Sequence, residues 1–263
     1  MFFDLSILCA VLALLHVTLF IFMGHQRLAA ITNIFAVLGL VFSSAQFITL
    51  WQTKHVLPFG SVSGLFLFLA QALMLVYVMM YVKYRRLTLG LFIFPLTVLF
   101  IIIARFAGGI PANVNPHAAG FWLYIHLPFT IIGTAFFMVS TIGGIMYFVQ
   151  ERQLKNKNFG IIFRSFPPLD TIDKLINTTL YIGFYTFTIG LLSGLIWMMY
   201  AKGMINIYSP KLVFAIITWI IYSGITFYKQ IKGMSPKDTA LSTIVGFISV
   251  LITYVGVAFF VMG

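Results

Sequence analysis

A chain of 263 residues that is 61% hydrophobic and 8% charged, with 29 phenylalanines and a mean hydropathy of +1.06, carries more apolar surface than a soluble domain of this length can bury. The composition is that of a polytopic membrane protein, and its lone cysteine, Cys9, excludes an internal disulfide framework and a cysteine-rich metal site. The formal charge of +11 does not point to nucleic acid, because the cations fall in short segments between apolar runs rather than on one basic face.

The first apolar run carries Asp4 and lacks a basic lead, so it reads as a span and not as a cleaved signal peptide. Windows of about 18 or more apolar residues then predict eight spans. They are Phe3–Gly24, Ala29–Trp51, Gly64–Val82, Leu87–Ala104, Phe121–Val149, Thr178–Tyr200, Leu212–Tyr228 and Leu241–Val261. Each is too long and too continuous for a strand of a transmembrane barrel. The fold class is all-α, a single integral membrane domain over residues 1–263 with no repeat and no soluble part.

Lysines and arginines set the orientation. Arg27 follows the first span, and Lys83, Arg85 and Arg86 follow the third. Arg152, Lys155, Lys157, Arg164 and Lys174 follow the fifth, and Lys229, Lys232 and Lys237 the seventh. The opposite side has Lys54, Arg105, Lys202 and Lys211. The side richer in cations is cytoplasmic by this rule, which puts both termini, and the start of the fifth span, outside. Ser235-Pro236-Lys237-Asp238 has the residues of a helix start, with Ser at the cap, Pro at the first position and Asp at the third. Pro167-Pro168 ends the preceding cytoplasmic segment, and Asp170–Asp173 opens an amphipathic lead-in (Ile172, Leu175, Ile176) to the sixth span. Gly190 and Gly194, four apart, allow a neighbouring helix to approach closely.

Histidines are the main candidates for chemistry, since no acidic residue falls in the middle of a span. That argues against a pump or cation pathway built on intramembrane carboxylates. His126 lies inside the fifth span near its outer end. It can be an axial ligand to a haem iron, since neutral imidazole is a good metal ligand, or a helix–helix hydrogen-bond donor. His117, in the outer loop Arg105–Gly120, is either a second ligand or simply solvated. His55 stands in another outer loop, His25 at the cytoplasmic interface, and His16 mid-span with Thr18 as a nearby partner. Trp122 and Tyr124 beside His126 can pack on a flat macrocycle or anchor the helix at the interface. Arg105, with Lys54, Lys202 and Lys211, supplies outer cations for carboxylates of a ligand or for lipid phosphates.

Trp122-Leu-Tyr-Ile-His126, Gln153–Lys157, Pro167–Lys174, Gly183-Phe184 and Gly190–Trp197 together resemble the cytochrome c assembly protein family of CcsA and CcmC. Ala215–Tyr222, Gly233, Ile244–Phe247 and Thr253–Val257 continue the likeness, which covers the chain from Gly120 onward. It is nearest to the eight-span HemX-like branch that includes the YpjD-type proteins. The resemblance implies that His126 corresponds to the first external haem-binding histidine of the family. It departs where the tryptophan-rich WWD loop belongs, since Gly203–Lys211 has no tryptophan, and at Phe227, which stands where a haem synthase has an intramembrane histidine. The second external histidine would fall beyond Gly263.

The expectation is a non-enzymatic, multi-pass protein of the bacterial inner membrane that binds or passes haem at the outer face. His126 ligates the iron, and His117, Trp122 and Arg105 complete the site. The resemblance also implies a role in cytochrome c biogenesis or tetrapyrrole homeostasis, with other proteins of those routes as partners. Two alternatives stay open, a haem-free regulatory or structural protein acting through the basic cytoplasmic loop 150–174, and a small-molecule transporter.

Overall fold

A computed structural model describes the chain except residues 55–57, 59–60, 86, 108–119, 158, 206 and 263; side chains are also not described at 26, 54, 87, 162, 202 and 254–262. Among the described residues there is no strand, and all eight apolar windows coincide with helices. These are α1 (Phe2–Met23), α2 (Gln26–Lys54), α3 (Val62–Tyr84), α4 (Gly90–Phe106), α5 (Phe121–Lys155), α7 (Leu169–Lys202), α8 (Pro210–Lys232) and α9 (Pro236–Met262). A further short helix, α6, covers Ile161–Ser165. Among the described residues, six of them (α1, α2, α3, α5, α7 and α8) are long and apolar enough to cross a membrane, whereas α4 is apolar but 17 residues long.

Two findings adjust the expected boundaries. Helix α5 has 35 residues, about 52 Å at 1.5 Å per residue, well beyond a hydrocarbon core of about 30 Å. It continues past the apolar window because Gln150, Glu151, Arg152, Leu154 and Lys155 are good helix formers. The basic segment 150–174 is therefore largely helical rather than an open loop, with 150–155 in α5, 161–165 in α6 and 169–174 in α7. The lead-in at Asp170 is likewise not a separate element. It is the first part of one 34-residue helix that starts after Pro168.

The chain divides into two compact units. The first, Met1–Pro116 with Gln153–Pro167, gathers α1–α4 and α6. Ser63 donates to the Ala104 carbonyl at 2.7 Å, tying α3 to α4, and the Tyr77 hydroxyl reaches Asn33 of α2 at 3.3 Å. Thr88 donates to the Ser165 carbonyl and so fastens α6. His16 does not pair with Thr18 as expected. Its Nδ1 meets the Leu12 carbonyl at 2.7 Å, while Thr18 donates to Leu14, because each finds a carbonyl one turn back on its own helix.

The second unit, His117–Arg152 with Pro168–Gly263, gathers α5, α7, α8 and α9. Its core is Phe137, Leu180, Phe184, Phe187, Tyr222 and Val250, with the Phe137 and Tyr222 rings stacked at 3.6 Å. α5 and α7 meet through glycines. A Cβ on Gly133 would lie 2.8 Å from the backbone nitrogen of Phe187, and one on Gly190 would lie 2.7 Å from that of Thr130. Gly143 and Gly183 instead make room for side chains, those of Ile176 and Phe137. Between helices in a bilayer, where lipid tails are as apolar as leucine, such close backbone approach supplies much of the attraction. At the far end Ser235 caps α9 as its sequence predicts, accepting from the Asp238 backbone at 3.1 Å and donating to its carboxylate at 2.6 Å. Lys229 donates to the Met234 carbonyl and to Thr239, with Asp173 at 3.9 Å.

A side chain at Gly133 would run into backbone, which cannot move aside as a rotamer can. Gly133→Leu is therefore expected to lower the stability of the detergent-solubilised protein by about 1–3 kcal/mol or more through overpacking. Thermal melting beside a lipid-facing control such as Ile145→Leu checks this, and an unchanged melting temperature would refute the close α5–α7 contact.

Candidate functional site

His126 sits two residues before Pro128, in the second turn of α5. Its Nδ1 lies 2.7 Å from the carbonyl oxygen of Gly190 on α7. A carbonyl can only accept, so Nδ1 carries the proton and the lone pair of the neutral ring resides on Nε2. The contact is possible because α7 has no side chain at position 194. A Cβ there would lie 2.5 Å from Nδ1 and 2.6 Å from Cε1, so the imidazole lies on the helix backbone. Thr130, one turn further along α5, donates to the His126 carbonyl at 2.7 Å. Ser193 donates to the same Gly190 carbonyl at 2.9 Å.

The half-buried ring borders two cavities of the second unit. One, of about 130 Å³, is lined by Thr130, Thr134, Thr218 and Thr253 with Phe187, Leu191, Ala215 and Val250. The Thr218 and Thr253 hydroxyls lie 3.0 Å apart across it, joining α8 to α9. The other is a groove of about 250 Å³, with walls of Leu191, Leu195, Trp197, Met198, Leu212 and Ala215. Ser209 and Lys211 supply its polar groups, and Gly194 contributes bare backbone. An imidazole with one nitrogen committed and the other available, beside an apolar slot with a cation in its lining, can ligate the metal of a flat anionic macrocycle. The hydrogen bond from Nδ1 to the Gly190 carbonyl fixes the ring's tautomer and raises its basicity as a ligand.

The expected site residues are distributed unevenly. His126 is at the centre. Trp122 does not line either cavity and makes an edge contact with Phe121 at 5.6 Å, so the aromatic wall of the groove comes from Trp197 instead. Arg105 belongs to the first unit, where its guanidinium lies 3.7 Å from Asp4 and over the Phe3 ring. His117 and His55 lie outside the described residues. Gly190, Gly194 and Met198 were not grouped with His126 by sequence reasoning, whereas Lys211 was one of the four outer cations it offered to a ligand's carboxylates and does line the groove. The spacing 190, 194, 198 on one helix is the signal that places them on a common flank. Phe227 is half-exposed and packs edge-on against Phe184. Among the described residues no group of three or more His, Cys, Asp or Glu side chains could hold a bare metal ion.

Residues 59–263 match the family described as cytochrome C assembly protein, so the match begins well upstream of the Gly120 from which the motifs read. The chain is similar to the cytochrome c biogenesis protein CcsA of Prochlorococcus marinus (strain MIT 9515), 24% identical over 262 residues that cover 91% of this chain and 84% of the relative. It is similar to CcsA of Guillardia theta, 23% identical over 232 residues, with 80% and 76% covered. CcsA of Welwitschia mirabilis is 28% identical over 163 residues, 54% of this chain and 53% of that protein.

If Gly194 seats the ring, a side chain at this position must unseat it. Nitrogen-15 NMR of imidazole-labelled protein is expected to report one tautomer, protonated at Nδ1, in the native chain, and a mixture in Gly194→Val. Identical spectra for the two proteins would contradict the seating.

Proposed function

The chain belongs to the cytochrome c assembly protein family, and from that membership we propose that it takes part in cytochrome c assembly by binding haem, or a related tetrapyrrole, through His126. The observation that carries this reading is the hydrogen bond from Nδ1 of His126 to Gly190, which leaves Nε2 as the ligating atom beside an apolar groove. The donor set suits the iron and one edge of the group, which a groove of about 250 Å³ would hold in part. Leu191, Leu195, Trp197, Leu212 and Ala215 suit the faces of a macrocycle, and Lys211 suits a peripheral carboxylate. Haem here is cargo that is bound and handed on, and the chain performs no covalent step upon it.

The wider placement follows from charge. With eight spans, the cation-rich segments lie in the cytoplasm, both termini lie outside, and His126 stands near the outer face of a bacterial inner membrane. The absence of tryptophan from Gly203–Lys211 supports the HemX-like branch over the haem synthases. The basic cytoplasmic segment 150–174 is the surface for other biogenesis or haem-synthesis proteins.

A reduced-minus-oxidised visible spectrum of the detergent-purified protein, with haem supplied, tests the reading. The native chain is expected to give a Soret band that His126→Ala abolishes or blue-shifts without loss of fold. Lys211→Glu is expected to weaken haem binding roughly three- to tenfold, by up to about 1.4 kcal/mol. A flat spectrum from the native chain would overturn the proposal and favour a haem-free regulator or a small-molecule transporter.

A further inference from the structure

We propose that the cation-rich end of the first unit binds the headgroups of anionic phospholipids through Arg27, Lys83, Arg85, Lys155, Lys157 and Arg164. This surface involves neither His126 nor the haem reading.

The fold brings these residues to one end. α1 stops at Met23 and α2 starts at Gln26, so Arg27 stands at the turn between them. The hydrogen bond from Tyr77 to Asn33 places the last turns of α3 beside the first turns of α2, and α3 closes at Arg85. Thr88, in the single turn Leu87–Leu89 that follows, donates to the Ser165 carbonyl, and Phe92 packs edge-on against Phe166. These contacts bring α6 and its Arg164 to the same end. Lys155 and Lys157 belong to the stretch leading into α6, which clusters with this unit. All of the cations named are exposed.

Charge balance sets this end apart. The unit's own sequence, 1–116 with 153–167, holds one acidic residue, Asp4. Asp4 lies at the opposite end of α1, 3.0 Å from the terminal ammonium and 3.7 Å from Arg105. Glu151 and Arg152, adjacent on α5 just before the unit resumes, cancel each other. The second unit differs, since its Lys174 pairs with Asp170 at 2.7 Å and its Lys229 lies 3.9 Å from Asp173. An array of cations with no acid in its own unit repels itself, and an anionic partner relieves that repulsion.

The side chains between the cations select a lipid as that partner. Phe22, Met23, Val82, Phe159 and Ile161 are large, apolar and more than half exposed at this end. The guanidinium of Arg85 lies over the Tyr81 ring and the ammonium of Lys83 over the Tyr84 ring. Ends of spanning helices stand at headgroup depth, where phosphates and acyl chains meet, so both kinds of side chain find a counterpart there. The segment 159–166 is arranged in the same sense. Phe166 is buried against the unit while Phe159 and Ile161 point away from it, as in a helix lying in the interface. The part of the basic segment 150–174 left for protein partners is then that of the second unit.

The test titrates the full-length detergent-purified chain with phosphatidylglycerol or phosphatidylcholine and counts bound lipid by native mass spectrometry. The native chain is expected to bind phosphatidylglycerol roughly tenfold more tightly, with a preference that added salt weakens. The triple variant Arg85→Asn, Lys157→Asn, Arg164→Gln is expected to lose most of this preference. Asparagine suits the first two positions because Arg85 and Lys157 have φ of 54° and 52°. Replacing Lys174, Lys232 and Lys237 of the second unit with Gln is expected to leave the preference unchanged, and Phe159→Ser with Ile161→Ser to weaken binding of both lipids. Equal affinity of the native chain for the two lipids would overturn the proposal and leave this end to an acidic protein. An equal loss in the second-unit variant would overturn it as well, since any surface cation would then serve. Matching melting temperatures confirm that the variants fold. Should one fail to fold, the native chain still decides, because a preference that ignores salt would also overturn the assignment.

Discussion

The second unit depends on how closely α5 and α7 can approach. Glycines on both helices remove side chains where the backbones meet, at Gly133 and Gly143 on one and at Gly183, Gly190 and Gly194 on the other. Leucine at any of these places would hold the helices apart and leave the His126 ring short of the Gly190 carbonyl. The hydrogen bond at 2.7 Å is thus a consequence of the glycines rather than an independent feature. It also explains why an imidazole is tolerated at this depth. One nitrogen is satisfied by backbone, and only the other needs a use.

The interior that this contact creates is polar to an extent the composition does not suggest. Thr134, Thr141, Thr218, Thr226 and Thr243 are all buried in the second unit, and Thr141 donates across to the Thr243 carbonyl of α9. Most of these hydroxyls also bond to carbonyls of their own helix, a cheap way to place oxygen in a bilayer without leaving it unsatisfied. Trp219 donates to Thr188 at 3.0 Å, fixing α8 against α7. On α8 the buried Thr218 and Thr226 contrast with Ile216, Ile220 and Ile231, which are exposed. Charged groups are kept to the ends, as at Lys229 and Asp173.

The helices were legible because a run of 18 apolar residues with few charges has little else to become, and Ser235–Asp238 was legible because capping is a local interaction. The proposal for Gly190 and Gly194 also held in substance, since a glycine pair four apart specifies a flank even when its partner is unknown. Tertiary identity was not legible. The group that orients His126 is a backbone carbonyl 64 positions away, and no residue type in the sequence marks it. Trp122 drew attention by standing one turn from His126, but proximity along a helix does not decide which ring faces the cavity. Trp197 reaches it from another helix, beside the glycine that the histidine ring touches. The partner of His16 was misplaced because a carbonyl four residues back competes with any side chain nearby.

The origin of the groove residues bears on how a ligand would be exchanged. His126 comes from α5; Gly194, Trp197 and Met198 from the last turns of α7; and Lys211 and Leu212 from the first turn of α8. The segment between α7 and α8 begins at Gly203, whose φ of 70° closes α7 in the left-handed conformation that glycine adopts without strain. It hands the chain to Pro210 within a few residues, and among its described residues Ser209 lines the groove. A groove built on helix ends in this way is held by the same glycine contacts that hold the unit, so the His126 imidazole is positioned without any ligand. Little ordering cost is then left to oppose binding.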